Sequence, residues 1–201
     1  MKLSILICSL FGKREKFLDK LLNSLYPQIG EYKTSSTKGD YILTTITSKD
    51  VEILICTDKK QLRVGTKRNI LIDNAKGDYI SFVDDDDILS KDYVSSLLKG
   101  IFTEKDVVLF DVEISINNGK FKKVYYDANY FKDRNLSNYY ERIPNHIMCW
   151  NRSIIDQRFP DISLGEDAQW AIKMRDNIKS QAKIPKTLYY YMFNSKSTET
   201  Q

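Results

Sequence analysis

The sequence predicts an α/β fold, a mixed sheet flanked by helices, on three observations. Short apolar runs rich in β-branched residues, Leu3 to Cys8, Val51 to Thr57 and Tyr79 to Val83, have the length of strands buried on both faces. Stretches with apolar residues at helical spacing stand between them. Later, Glu113 to Ile116 and Phe121 to Tyr126 flank Asn117-Asn118-Gly119, a hairpin signature, so the second half turns partly antiparallel.

Each element has its own signal. After the first strand comes a turn at Ser9-Leu10-Phe11-Gly12, and Phe17, Leu18, Leu21, Leu22 and Leu25 then mark an amphipathic helix over about 14 to 26, ending before Pro27. The turn carries neither a Walker glycine-lysine pattern nor G-x-G-x-x-G, so a nucleotide there is held by other means. Residues 28 to 50 read as a long polar connection, mobile or functional, with one short strand at Tyr41 to Thr47. The second strand delivers Asp58 to its carboxyl end, where a turn cap and a ligand role weigh equally. Gly65-Thr66-Lys67-Arg68-Asn69 opens a helix through Ala75, and Lys67 and Arg68 suit either a phosphate or a salt-bridged helix surface.

Further on, Ser90 caps a helix to Phe102 carrying Val94, Leu97, Leu98 and Ile101, and Val107 to Phe110 is a fourth strand. Tyr130, Phe131, Tyr139 and Tyr140 lie among polar residues; aromatic faces suit sugar rings, but ordinary packing accounts for most of them. His146 to Trp150 reads as a strand, with His146, the only histidine, a satisfied structural residue. Leu164-Gly165-Glu166-Asp167 opens a helix to about Asn177, and the macrodipole alone favours two acids there. Lys186 to Phe193 is a last aromatic strand before a polar tail, 194 to 201.

With 201 residues and 42% hydrophobic content, one domain over 1 to 193 is expected, its halves meeting near 110. The formal charge of +4 is compatible with an anionic partner, while no continuous basic stripe announces nucleic-acid binding. Cys8, Cys56 and Cys149 lack metal-ligand spacing and are odd in number, which points to reduced core thiols. No stretch reads as a signal peptide or a membrane span, so a cytoplasmic location is expected, with peripheral membrane contact open.

The chain is organised around Gly77-Asp78-Tyr79-Ile80-Ser81-Phe82-Val83-Asp84-Asp85-Asp86-Asp87, a buried strand that ends in four acids. Adjacent carboxylates repel one another unless a cation neutralises them, and Mg²⁺ or Mn²⁺ takes oxygen ligands. A solvated loop, or a cap for the next helix, is the plainer alternative. The carboxyl end of a strand in an open α/β sheet is where ligands bind, which favours the metal.

The chain resembles family 2 nucleotide-sugar glycosyltransferases of the GT-A fold, with its Rossmann-like sheet, over about 3 to 27 and 51 to 193. The most specific part is Gly65-Thr66-Lys67-Arg68-Asn69 through the acidic strand, which is similar to the family's Arg-Asn pair, Ala-x-Gly and Asp-x-Asp motif. The resemblance implies that Asp84 and Asp86 form that pair, with Asp86 on the metal of the donor diphosphate and Asp84 on the ribose or sharing the metal. Asp87 fits the acid that follows, and Asp85 lies with them at the donor. Asp58 matches the acid that meets the base, and Ser9 and Arg14 fall where the first loop lines the nucleotide pocket. Glu166-Asp167 looks like the family's Glu-Asp motif, with Asp167 as the base on the acceptor. Leu188 through Ser195 is similar to the closing strand.

The implied activity is inverting transfer of a sugar from a UDP-sugar, with Mn²⁺ or Mg²⁺, to a glycan or lipid-linked acceptor. A modified DNA base as acceptor, a non-catalytic binding module and a nucleotidyltransferase are the alternatives. The first loop departs from the common Pro-Thr-Tyr-Asn-Arg form, and residues 28 to 50 are longer than the usual connection.

Overall fold

Strand β1 (Leu3–Leu10) runs through the middle of a twelve-stranded sheet, in parallel register with β4 (Val51–Asp58) on one edge and β5 (Tyr79–Phe82) on the other. Every residue of β4 and β5 is buried, as expected of parallel strands covered on both faces. The computed structural model describes residues 1–193, so the predicted tail and Ser195 lie outside the described residues. Leu10 pairs with Asp58, so β1 and β4 end side by side, and the acids follow directly from β5.

Helices α1 (Glu15–Ile29), α2 (Val64–Asn74) and α3 (Tyr93–Ile101) link these strands. Beyond β5 the sheet turns antiparallel through β11 (Cys149–Asn151), which pairs with β5 and with β7 (Val107–Ile116). On its other edge β7 pairs in parallel with β12 (Gln181–Phe193), whose Tyr189 and Tyr190 meet β6 (Ile88–Leu89). The hairpin forms as expected: β8 (Lys122–Tyr126) pairs with β7, and Asn117 and Asn118 adopt positive φ of 50° and 58°. Strands β9 (Arg134–Asn135) and β10 (Tyr139–Arg142) extend that arm, and α4 (Glu166–Met174) completes the fold.

Several boundaries differ from the sequence reading. Helix α1 continues through Pro27 to Ile29, and in its last turn Gln28 Nε2 donates to the carbonyls of Ser24 and Ser90 at 2.9 and 3.1 Å. The same side chain accepts the Val94 N–H at 3.0 Å, so it also caps α3, which begins at Tyr93 rather than Ser90. The polar connection contains two strands, β2 (Lys33–Ser36) and β3 (Ile42–Thr47), the second anchored by buried Leu43 and Ile46 against β4. Strand β12 starts at Gln181, and shifts of register between Ile184 and Tyr189 accommodate Pro185, which has no N–H for the ladder.

Candidate active site

The four acids at the end of β5 separate by direction. Val83 still donates to Leu6 at 3.0 Å, and the chain then turns, with the Asp87 N–H donating to the Asp84 carbonyl at 3.2 Å. Asp84 and Asp86 face a cleft of about 770 Å³, with side chains 29% and 24% exposed. Asp85 turns toward β1, where Ser9 Oγ donates to it at 2.7 Å and Arg14 Nε at 2.8 Å. Arg14 Nη2 also reaches Asp86 at 2.8 Å. Thus the first loop brings Ser9 and Arg14 to the acids, with Ser9 supporting Asp85.

Asp87 is a correction to its expected place among metal ligands. Its Oδ2 accepts the Tyr189 hydroxyl at 2.6 Å and its Oδ1 the Met192 N–H at 2.8 Å, so both oxygens tie the acidic turn to β12. The tie is doubled, because the Asp84 N–H donates to the same Tyr189 oxygen at 3.1 Å. Burial, followed by repulsion from Asp84, pushes the Asp87 carboxyl well above the ordinary carboxylate range. Such a group binds its proton more tightly folded than unfolded, so stability falls as pH rises from the ordinary carboxylate range through the folded value. Asp87→Asn is therefore expected to raise the urea midpoint at pH 7 and to lose that advantage below about pH 4. A lower midpoint at pH 7 would contradict this account.

Helix α2 brackets the other wall, and each residue of Gly65-Thr66-Lys67-Arg68-Asn69 has a distinct contact. Gly65 lies against the segment before α4: a Cβ there would stand 1.9 Å from the Pro160 carbonyl oxygen. Gly65→Ala is expected to cost about 1–3 kcal/mol by forcing that backbone away, measured as a fall in urea midpoint. Thr66 Oγ1 donates to Asp161, while Asn69 exchanges two hydrogen bonds with the Phe159 main chain at 2.9 and 3.0 Å. Phe159 in turn stacks on Trp170 of α4, with centroids 4.7 Å apart.

Lys67 and Asp58 do not line the cleft: of the readings the sequence left open, the structure shows the salt bridge for Lys67 and the turn cap for Asp58. Both side chains are fully buried, with Lys67 Nζ 3.0 Å from Asp58 Oδ1 and 3.1 Å from the Ser9 carbonyl. Asp58 Oδ2 also accepts the Leu62 N–H at 2.7 Å, fixing the turn after β4. Lys67→Met leaves that carboxylate without its cation and is expected to destabilise by about 3–5 kcal/mol, read by chemical denaturation. A cost under about 1 kcal/mol would mean the pair is replaceable by packing.

Arg68 joins the walls. Its Nη2 donates to Asp84 Oδ1 and its Nε to Glu166 Oε1, both at 3.2 Å, and its guanidinium lies over Phe82 and Phe159. Burial opposes the Asp84 charge, but Arg68 and then His146 outweigh it and hold that carboxyl well below the usual range. Glu166 is buried on Arg68, whereas Asp167, 35% exposed, faces the cleft from the first turn of α4. Gly165 precedes them at φ 78°, a left-handed conformation that sets the direction of the helix start. Cys8 also lines the cleft, its thiol pushed up to about 12 by burial, so it is no nucleophile at neutral pH.

His146 is also a correction. It lies in the turn before β11 rather than in a strand, and its two ring nitrogens each lie 3.5 Å from a carboxylate oxygen, on Asp84 and Asp167. Sequence reasoning passed over it because a lone histidine carries no spacing signal.

Among the described residues, no set of three or more His, Cys, Asp or Glu is arranged to hold a metal ion. Asp84 and Asp86 are nonetheless hard oxygen donors at the cleft wall, a set that fits Mg²⁺ or Mn²⁺ when a diphosphate and water supply the other ligands.

The profile described as glycosyl transferase family 2 matches residues 4–160. The chain belongs to glycosyl transferase family 2. Solved structures similar to this family 2 chain include S. aureus TarS 1-349, its complex with UDP-GlcNAc and its complex with UDP. Each has a TM-score of 0.64 and 18% identity; the matches cover 96%, 96% and 98% of this chain and 60%, 58% and 62% of TarS 1-349. The likeness shows the GT-A fold, and the family 2 chain spans about three fifths of those structures. No curated protein matches it.

Proposed function

We propose that this family 2 domain transfers a sugar, with inversion, from a UDP-sugar to an acceptor hydroxyl on a glycan or lipid-linked sugar. One observation carries the reading: Asp84 and Asp86 at the end of β5 and Asp167 at the start of α4 line the same cleft. The UDP and UDP-GlcNAc complexes of TarS support UDP as the donor nucleotide. No helix among the described residues is long and apolar enough to cross a membrane.

Asp84 and Asp86 would hold the Mg²⁺ or Mn²⁺, which when bound offsets charge developing on the departing diphosphate. Arg14 and Arg68 orient those carboxylates, and they add fixed positive charge at the donor side. Asp167 is the open acid on the acceptor side: its carboxylate takes the hydroxyl proton as the acceptor oxygen bonds to the anomeric carbon and the bond to the diphosphate breaks. A single base opposite the leaving group gives inversion. Glu166, 5% exposed and engaged by Arg68 Nε, is the less open of the two acids and is assigned to holding Arg68.

The test is product analysis with UDP-sugars, Mn²⁺ and a panel of glycan acceptors. Acceptor-dependent release of UDP is expected. Release of pyrophosphate would assign nucleotidyl transfer instead, and neither product with any donor would leave a binding module.

A further inference from the structure

Between the two walls of the cleft stands a side chain that the proposed chemistry does not use. His146 is 3% exposed, and its ring packs edge-on against Phe82, with centroids 6.1 Å apart. Its carbonyl accepts the Phe82 N–H at 3.2 Å, which ties its backbone to β5, the strand that presents Asp84. Nε2 lies 3.5 Å from Asp84 Oδ2 and Nδ1 lies 3.5 Å from Asp167 Oδ2. Both nitrogens are buried, and neither has a hydrogen bond of ordinary geometry.

A buried polar group without partners is costly, and an apolar ring would pack on Phe82 as well without that cost. The two nitrogens instead point in opposite directions at the two carboxylates that the proposed reaction needs on opposite sides of the sugar. A shift of a few tenths of an ångström at either acid would bring its own contact with the ring to ordinary hydrogen-bond length.

We propose that His146 is a positioning residue for transfer, linking Asp167 to Asp84 so that the acceptor base is oriented by the strand that holds the donor diphosphate. The inference rests on the reading of the cleft as a sugar-transfer site. At 3% exposed, His146 acts through Asp167.

The experiment compares His146→Phe, which keeps a ring against Phe82, with His146→Gln, which keeps a donor and an acceptor, each made also on the Asp167→Asn background. H146F is expected to lower kcat by about 10- to 100-fold, the scale of lost orienting partners, with KM for the UDP-sugar within about twofold of wild type. H146Q is expected to recover part of that loss. On the D167N background H146F is expected to change kcat by less than about twofold, because the residue it acts through is already disabled. Full additivity on that background, equal loss in H146F and H146Q, or unchanged kcat in H146F would each overturn the inference while leaving sugar transfer standing. Absence of transfer by the wild-type chain with every donor would overturn the reading of the cleft and this inference with it.

Discussion

Asp167→Asn is expected to lower kcat for sugar transfer by about two to four orders of magnitude, the range typical of a lost general base. UDP affinity should stay within about twofold, because Asp167 is proposed to act on the acceptor hydroxyl and not on the donor diphosphate. The substitution is nearly isosteric, so the first turn of α4 keeps its shape while the side chain loses its ability to take a proton. The helix macrodipole also favours an acid at this position, but that contribution is only about 0.3–1 kcal/mol of stability and does not touch kcat. Steady-state kinetics with saturating acceptor, together with a UDP titration, separate the two. Transfer retained at wild-type rate would make Asp167 a helix-start acid and nothing more.

Asp86→Ala is expected to weaken Mn²⁺-dependent UDP binding by about 100-fold or more, equivalent to at least about 2.7 kcal/mol. The fold should survive: Asp86 is partly exposed, and Arg14 keeps its contacts with Asp85 when Asp86 is removed. Asp87→Asn serves as the contrast, because the oxygens of Asp87 are engaged by Tyr189 and Met192. It should retain metal-dependent binding. Calorimetry on both variants decides whether the cleft-facing acids, and not the acidic run as a whole, provide the metal site. Unchanged UDP affinity in Asp86→Ala would remove that residue from the metal.

The parallel half of the sheet was legible because β1, β4 and β5 are continuous apolar runs, and burial on both faces permits little else. The hairpin was legible because Asn117 and Asn118 tolerate the positive φ that the turn demands. Helix α1 outran its expected end, and its last turn is tied to the start of α3 by Gln28, a tertiary contact that no local pattern records. Strand β2 was missed because Lys33–Ser36 is exposed throughout and carries no hydrophobic alternation.

The site shows the same division. The acids and the Glu166–Asp167 pair were visible as residue types at the ends of elements. Their division of labour was not, since one turn leaves Asp84 and Asp86 partly exposed at the cleft while the oxygens of Asp85 are engaged by Ser9 and Arg14 and those of Asp87 by Tyr189 and Met192. Lys67 and Arg68 are adjacent in sequence, yet helical rotation buries the first on Asp58 and aims the second between Asp84 and Glu166.

The most direct test of the central claim is calorimetric titration of UDP into the purified chain with and without Mn²⁺. The arrangement of Asp84 and Asp86 at the cleft predicts binding that requires the metal. Binding of equal affinity without Mn²⁺, or no binding in either condition, would contradict it.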